Sequence, residues 1–327
     1  MSLTCNQLYY KAKPICSLSS LALALGFEEA LLIKLASNSY NMYRLAKPVI
    51  KTDGTIRQPF DALEPLKEIQ KRIKDNIFSN IVFPKYLTGS IKGRDYKTNA
   101  SLHISAKITI CEDIENFFPA TSSSIVLDVW RNFFGFSEEV AELLTKLTSK
   151  DSALPQGAIT SSYLANLALW RDEPKLNQWL NEQGIVYSRY VDDITISSKQ
   201  PLVDDKKTEV IAKIYGILSK NGYRAKRRKH EISTSSKPMF ITKLMVNSKV
   251  SLTSKERANI RTAVYQLEQR TNAGERGIKI NADFNSISGK VAKLKRFHTT
   301  KGVSLMSRVK AIGNNLKKLI IEPKVKH

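Results

Sequence analysis

Cysteine is scarce in this sequence. Its 327 residues include three cysteines, at Cys5, Cys16 and Cys111. The number is odd, and the spacing suits neither a disulfide framework nor a zinc site. A small secreted domain held together by disulfides is therefore excluded, and the pattern is typical of a protein that works in a reducing cytoplasm.

Long hydrophobic runs are also missing. The apolar segment at residues 18–27 follows Lys11 and Lys13, as the apolar part of a signal peptide would. It continues into Glu28 and then into leucines with helical spacing. We therefore interpret it as an amphipathic helix interrupted at Gly26. No run is long enough to cross a bilayer, and we expect no membrane partner.

Acidic residues are outnumbered. The sequence has 52 lysines and arginines against 30 aspartates and glutamates, which gives a net charge of +22. A field of this sign attracts polyanions, and nucleic acid is the expected partner through phosphate neutralisation. The consecutive cations Lys226, Arg227, Arg228 and Lys229 favour this interpretation over a generally basic protein or a membrane-surface binder. The apolar content of 42% excludes a disordered chain.

The order of predicted elements indicates an α+β fold, and the length predicts two or three subdomains. Alternation, helical spacing and turn residues predict the following elements: helices over residues 1–47, a hairpin over 49–60 that turns at Asp53-Gly54, a helix over 66–77, a strand over 104–111, a helix over 163–170, a hairpin over 184–198 and a helix over 204–220. From Ser254 onward the pattern is helical, with breaks at residues 272–277 and near Gly289. This order is that of a split βαβ unit with an antiparallel sheet.

Three aspartates lie where predicted strands end. Tyr190-Val191-Asp192-Asp193 places two adjacent acids between β-forming arms, and a tight turn would let both project from the hairpin tip. Asp113 ends another strand. Mg²⁺ prefers such oxygen ligands, and two ions about 3.5–4 Å apart can activate a 3′-hydroxyl and stabilise departing pyrophosphate. An exposed Asp-Asp turn is the simpler alternative, but unpaired acids in so basic a chain favour a metal site that faces phosphates.

Three motifs, taken in order, resemble those of bacterial reverse transcriptases. The segment LPQGAITSSYLANL at residues 154–167 is similar to the LPQG-x-x-x-S-P-x-LANL block of that family. DIENFFP at residues 113–119 precedes it, and YVDD at residues 190–193 follows it. One departure is Ser162, where the family has proline. We expect this change to alter a helix start and not the chemistry.

The resemblance covers about residues 20–250 and implies a right-hand polymerase fold with fingers, palm and thumb. It places an N-terminal helical extension at residues 1–47 and the fingers at residues 48–105. The palm, with insertions of the fingers, would occupy residues 106–250, and a helical thumb would occupy residues 251–327.

The same resemblance implies roles for individual residues. Asp113, Asp192 and Asp193 would be the catalytic acids and, with the backbone carbonyl of Ile114, the ligands of Mg²⁺. Phe118 would exclude a 2′-hydroxyl and so favour deoxynucleotides, with simple core packing as the alternative.

Further residues are expected to contact the incoming nucleoside triphosphate. Gln156 and Gly157 would line its pocket. Lys51 and Arg57 flank a turn in the fingers where cations hold the triphosphate, although a solvated hairpin is the alternative. Lys229 resembles a lysine near the triphosphate, but its neighbours are all basic.

A shorter match indicates one branch of the family. Asn99, Ala100 and His103 match the NAxxH element of retron reverse transcriptases, and Thr242 and Lys243 stand where that branch has the end of a VTG triplet. Lysine therefore replaces the usual glycine. We expect these five residues to contact RNA, with a buried structural histidine as the alternative for His103.

The basic segment at residues 254–327 would form the thumb and follow a duplex backbone. Within it, Lys293 and Arg296 are expected to face the RNA, and a solvated helix face is the alternative for both.

Retron resemblance implies an RNA-directed DNA polymerase that copies part of a structured noncoding RNA from deoxynucleoside triphosphates. It would prime from the 2′-hydroxyl of an internal guanosine and make branched RNA–DNA. The product would act with an effector protein in antiphage defence. Two alternatives stay open: another defence-associated reverse transcriptase, acting in a larger complex with a different priming rule, and a non-catalytic RNA-binding scaffold.

Overall fold

The computed structural model describes residues 7–50 and 54–321, with side chains up to residue 316. The described residues up to Lys237 form one compact unit, and those from Pro238 onward form a second. The boundaries of extension, fingers, palm and thumb remain predictions. None of the helices in these described ranges is long and apolar enough to cross a membrane.

Helices and strands alternate along the first unit. Its helices are α1 (Leu18–Leu25), α2 (Glu29–Asn38), α3 (Leu66–Arg72), α4 (Tyr96–Ser101), α5 (Phe117–Ala120), α6 (Ser123–Asp128), α7 (Glu138–Thr148), α8 (Ser161–Leu167), α9 (Glu173–Asn181) and α10 (Asp204–Lys220). Its strands are β1 (Tyr9–Tyr10), β2 (Tyr43–Leu45), β3 (Val49–Ile50), β4 (Ile56–Arg57), β5 (Phe60–Ala62), β6 (Ile81–Val82), β7 (Ile108–Asp113), β8 (Ile185–Tyr190), β9 (Asp193–Ser198) and β10 (Glu231–Thr234).

Four of these strands form one antiparallel sheet in the order β10-β7-β9-β8. Helices connect β7 to β8, and α10 connects β9 to β10. The two strand–helix–strand units are therefore interleaved, with β9 lying between β7 and β8. This is the predicted split βαβ arrangement, and the expectation of an α+β fold with an antiparallel sheet is confirmed.

A continuous hydrophobic core joins the sheet of the first unit to its helices. Its centre is aromatic: the Trp130 ring stacks on Phe78 at a centroid distance of 5.4 Å and on Phe134 at 4.7 Å. Tyr10 of β1 meets Phe134 edge-on at 4.9 Å. Strand β1 therefore packs against the core. The expectation of helices throughout residues 1–47 is wrong at β1 and β2, which are strands.

The predicted hairpin at residues 49–60 is present in its described part. β3 pairs with β4 and places Val49 opposite Arg57. The predicted turn residue Asp53 lies outside the described residues. β5 follows directly and pairs with β2, which ties this hairpin to the body of the first unit.

Long helices dominate the second unit. A two-stranded hairpin, β11 (Phe240–Ile241) and β12 (Leu244–Met245), precedes α11 (Ser254–Asn272), α12 (Ile278–Phe297) and α13 (Thr299–Ile321). The break predicted at residues 272–277 is present. The break predicted near Gly289 is wrong, because α12 continues through it and ends before His298. A single helical glycine weakens a helix by only about 1 kcal/mol relative to alanine, which packing can offset.

Helix α4 is fastened to the sheet by a buried polar network. The imidazole of His103 lies between two serines of the sheet, with Nδ1 2.7 Å from the Ser197 hydroxyl and Nε2 2.7 Å from the Ser188 hydroxyl. The Ser188 hydroxyl donates to Asn99 Oδ1 at 2.8 Å, so it accepts from His103 Nε2. Burial lowers the pKa of His103 to about 3. The imidazole is therefore neutral and structural.

This network predicts a pH dependence of stability. His103 has a lower pKa in the folded protein than the unfolded value of about 6.5. Between these values the unfolded chain binds more protons, so the free energy of unfolding falls as the pH falls, by up to about 1.4 kcal/mol per pH unit. His103→Gln keeps hydrogen-bonding groups without this titration. Urea unfolding of both proteins from about pH 7 to about pH 5 should show a smaller loss of stability in the variant. Parallel curves would show that His103 does not contribute.

Candidate active site

The hairpin of β8 and β9 carries two of the predicted acids at its tip. Tyr190 pairs with Asp193 across the hairpin, so Val191 and Asp192 form the connection. Val191 has a φ of +61°, in the left-handed region. A non-glycine residue there costs roughly 1–2 kcal/mol, so the surrounding structure must hold the conformation. This turn places Asp192 and Asp193 at the same end of the sheet.

Strand β7 brings the third acid to the same end. Asp113 is its last residue and pairs with Asp193 in register. The backbone N–H of Ile114 donates to the Asp192 carbonyl at 2.9 Å. Asp113 is 4% exposed, whereas Asp192 and Asp193 are half-buried. The structure therefore places the three predicted acids together at one edge of the sheet.

The carboxyl groups at this edge repel one another. Burial, and after it the charge of Asp192, raises the pKa of Asp193 to about 6. Burial and the charge of Asp113 also raise the pKa of Asp192, and the charges of Lys229 and Arg57 only partly counteract this rise. A bound cation would relieve the repulsion. Oxygen donors of this kind, with a surplus of negative charge, fit a hard divalent cation.

Lys229 lies beside one of these acids. Its ammonium group forms an ion pair with the Asp113 carboxylate. Burial alone would lower the pKa of Lys229, but the contact with Asp113 and the charges of Asp193 and Asp192 together raise it. The Lys226 N–H donates to the Asp113 carbonyl at 2.7 Å and anchors the turn that carries the lysine. In residues 7–50 and 54–321 no three acidic, histidine or cysteine side chains form a ready-made metal cluster. The predicted contact of Lys229 with a triphosphate stays a prediction.

The LPQG loop is fixed against β5. The carbonyl of Gln156 accepts the Phe60 N–H at 2.7 Å. Gly157 has a φ of +107°, and a Cβ there would lie 2.7 Å from the Phe60 carbonyl oxygen. Only glycine fits this position without strain. Arg57 belongs to the adjoining β4, and its charge is felt by Asp192. The LPQG loop is therefore held close to the β3–β4 hairpin, which carries Arg57.

Two further residues were predicted to contact the nucleotide, Phe118 and Lys51. Phe118 is half-buried in the short helix α5, and its ring centroid lies 6.1 Å from that of Phe117. Phe117 is buried against Tyr223 at 5.3 Å, which leaves Phe118 as the more exposed of the pair. Lys51 lies outside the described residues.

The NAxxH residues do not form an exposed surface. Asn99 and Ala100 are 0% exposed and His103 is 1% exposed. Asn99 Oδ1 accepts from both Thr88 and Ser188, and His103 bridges two serines. The expectation that these side chains contact RNA is not supported, because their polar groups face the sheet. Helical spacing puts Asn99 and His103 on one face, but it does not determine what that face meets.

The remaining predicted RNA contacts belong to the second unit. Thr242 and Lys243 form the turn between β11 and β12, and both have positive φ values, +48° and +66°. The positive φ of Lys243 gives a physical reason for glycine at this position in the related triplet. Lys293 forms an ion pair with Glu256 at 2.8 Å. Arg296 is exposed and lies over the Phe297 ring at 5.9 Å. These residues stay candidates for contact with RNA.

Sequence reasoning missed a group of residues behind the hairpin tip. Arg189 and Glu173 form an ion pair whose side chains are 0% and 1% exposed. The alternation of side chains along a strand could have indicated this pair, because Arg189 follows Ile185 and Tyr187 on one face of β8. All three side chains are buried. An arginine on a buried strand face requires a partner.

The close fit at Gly157 makes a testable prediction. Gly157→Ala should lower thermal stability more than Gly184→Ala, because both positions have positive φ values but only the first would bring a Cβ against backbone. The clash adds to a backbone penalty of roughly 1–3 kcal/mol, which is also larger at Gly157, because its φ of +107° lies further from the left-handed region than the +68° of Gly184. Thermal unfolding of the two variants and the wild type checks this. Equal losses would show that the loop relaxes away from Phe60.

Comparisons with known proteins identify the family. A family model described as reverse transcriptase (RNA-dependent DNA polymerase) matches residues 50–244. The retron Se72 reverse transcriptase of Salmonella heidelberg (strain 579083-10) is 37% identical over 310 residues, which cover 92% of this chain and 80% of that protein. The retron Ec48 reverse transcriptase of Escherichia coli is 31% identical over 314 residues, which cover 91% of this chain and 76% of that protein.

Among solved structures, telomerase from Candida albicans aligns over 89% of this chain and 66% of that chain, with 9% identity and a TM-score of 0.46, too low to add to the assignment. The sequence matches are sufficient on their own. They confirm the expected polymerase fold, which the interleaved antiparallel sheet also fits. The chain belongs to the retron-type reverse transcriptases and is an RNA-directed DNA polymerase.

Proposed function

We propose that this polymerase copies part of a structured noncoding RNA into DNA at the edge formed by Asp113, Asp192 and Asp193. The observation that carries the proposal is the register that places Asp113 opposite Asp193, with Asp192 at the adjoining turn. Burial and neighbouring carboxylates raise the pKa values of Asp192 and Asp193, and such a surplus of negative charge supports a site for cations and, through cations, for phosphates.

The proposed metal is Mg²⁺. Asp113, Asp192 and Asp193, with the backbone carbonyl of Ile114, would hold it, and the donors are all oxygen atoms, as this ion prefers. The ammonium of Lys229 against Asp113 supports the assignment, because it stands where a cation is favoured. When bound, Mg²⁺ would activate the 3′-hydroxyl and neutralise charge on the departing pyrophosphate.

Residues around the acids would bind the deoxynucleoside triphosphate. Arg57, whose charge already acts on Asp192, would contact the phosphates, and Lys229 would join it once released from Asp113. Gln156 and Gly157 would line the pocket, since their loop is fixed beside the same hairpin. Phe118 would contact the sugar and disfavour a 2′-hydroxyl.

The proposed partner is a folded noncoding RNA. The net charge of +22 supports polyanion binding, and exposed cations of the second unit, such as Arg296, would contact the backbone. The product would be branched RNA–DNA, primed from a 2′-hydroxyl. It would act with an effector protein in antiphage defence, in a cytoplasm where free thiols such as Cys111 stay reduced.

A second candidate is a defence-associated reverse transcriptase with another priming rule. Lys243 favours it, because the retron element has glycine there and this turn carries a charged side chain instead. The branched junction in the DNA product distinguishes the two candidates.

The catalytic assignment predicts the effect of one substitution. Asp192→Asn should lower DNA synthesis by at least about 10³-fold, equivalent to roughly 4 kcal/mol, because it removes a ligand charge while leaving most of the surface unchanged. Asp205→Asn, which changes an exposed acid of α10, is the matched control and should keep full activity.

Sequencing of the nucleic acids that copurify with each protein completes the experiment. The wild type and Asp205→Asn should carry DNA joined to RNA, and Asp192→Asn should carry RNA alone. Magnesium-dependent synthesis by Asp192→Asn would remove the assignment of the acids. Linear DNA from the wild type would favour the second candidate.

Sugar selection tests Phe118 separately. Phe118→Ala should raise the incorporation of ribonucleotides relative to deoxynucleotides, because the smaller side chain leaves room for a 2′-hydroxyl. The ratio of the two kcat/KM values measures this selectivity, with Phe133→Ala, another partly buried phenylalanine of the same unit, as the control. Unchanged selectivity in a folded Phe118→Ala protein would mean that Phe118 only packs against the core.

A further inference from the structure

A buried arginine lies directly behind the hairpin tip. Arg189 precedes Asp192 by three residues, and its side chain is 0% exposed. Arginine is rarely buried unless its charge is paired and its N–H groups are bonded. The contacts of this guanidinium therefore show what its burial achieves.

Glu173 of α9 fixes the orientation of the guanidinium. Nε of Arg189 donates to Glu173 Oε1 at 2.6 Å, and Nη2 donates to Oε2 at 2.8 Å. Two bonds between a planar fork and a carboxylate allow one relative orientation. The Tyr187 hydroxyl also donates to Glu173 Oε1 at 2.7 Å, which holds the carboxylate. Glu173 therefore orients the guanidinium without any contact from the β8–β9 turn.

The other N–H groups of Arg189 reach backbone carbonyls. Nη1 donates to the Val191 carbonyl at 3.0 Å, and Nη2 donates to the Asn166 carbonyl at 2.9 Å. The Val191 carbonyl belongs to the peptide group that leads into Asp192. Val191 is also the residue with a φ of +61°. The bond therefore holds the peptide plane from which the acids project.

Gly89 packs directly against Val191. A Cβ at Gly89 would lie 2.4 Å from the Val191 backbone nitrogen and 2.6 Å from Val191 Cγ2. The Gly89 carbonyl accepts from Asn166 Nδ2 at 2.8 Å. Arg189, Asn166, Gly89 and Val191 thus form a closed ring of contacts, which we call the tip brace.

We infer that Arg189 is a positioning residue for nucleotidyl transfer: through the tip brace it holds Val191 in the left-handed conformation that aims Asp192 and Asp193. This inference rests on the proposed function of those acids and extends it to residues that do not touch the substrate. Errors of about 1 Å in such an arrangement can lower rates about 10²-fold.

A general role in stability is the competing explanation, since a buried ion pair also connects β8 to α9. The two explanations differ in one respect. A stabilising pair affects how much protein is folded, whereas a positioning residue affects how tightly the folded protein holds a cation at the acids. Partners that orient metal ligands typically change metal affinity about 10- to 100-fold when they are replaced.

Arg189→Lys is the first variant. It keeps the positive charge opposite Glu173, but a lysine cannot make the two hydrogen bonds to Glu173 and also donate to the Val191 carbonyl. Arg171→Lys is the matched control, because Arg171 makes a similar fork to Asp128, which is not part of the hairpin. Mn²⁺ serves as the probe, with its binding measured by electron paramagnetic resonance and urea unfolding measured in parallel.

We expect Arg189→Lys, measured where it is fully folded, to bind Mn²⁺ about 10- to 100-fold more weakly and to lose a similar factor in kcat. Arg171→Lys should match the wild type in both. If Arg189→Lys binds Mn²⁺ like the wild type, the positioning role is wrong. If the wild type and Asp192→Asn bind Mn²⁺ equally, the proposed metal site itself fails, which is a different result.

Gly89→Ala tests the tip brace without changing a charge. The added Cβ should displace Val191 and weaken Mn²⁺ binding in the same range. Gly216→Ala is its control, because a Cβ at this helical glycine meets nothing within 4 Å. Normal Mn²⁺ affinity in a folded Gly89→Ala protein would overturn the proposed coupling of the brace to the acids.

Discussion

The arrangement of the candidate active site depends on the register between β7 and β9. In this antiparallel pair Asp113 lies opposite Asp193, and the β8–β9 hairpin places Asp193 opposite Tyr190. Side chains alternate between the two faces of a strand, so a shift of one residue would turn Asp113 to the other face. Buried residues along all three strands oppose such a shift, because it would expose their apolar side chains.

Bringing three acids together is electrostatically unfavourable, and nearby cations of the first unit offset part of this cost. Lys229 and Arg57 supply positive charge near the carboxylates. Arg189 acts differently, because Glu173 already neutralises it. Its contribution is directional hydrogen bonding to the strained turn. Different residues therefore compensate the charge of the acids and hold the turn that carries them.

Features that depend on local sequence were predicted well. Helix α10 spans the predicted residues 204–220, and the hairpin at residues 185–198 has its two acids at the turn. Long-range contacts were predicted less well. The match to the NAxxH element predicts that His103 contacts RNA, but a short motif does not determine which surface its side chains meet, and His103 is buried against the sheet. Helix α12 continues through Gly289 for a similar reason, since packing against its neighbours outweighs a weak local signal.

The sequence by itself determined the family, the three acids and the boundaries of the most regular elements, because residue type and local order suffice for these. The tertiary structure alone decided that Lys229 meets Asp113 across 116 residues of sequence and that Arg189 supports the turn at Val191 with Glu173 as its partner. Such contacts depend on which faces of separate elements pack together. That choice is made by the burial of the whole unit and is not encoded in any single segment.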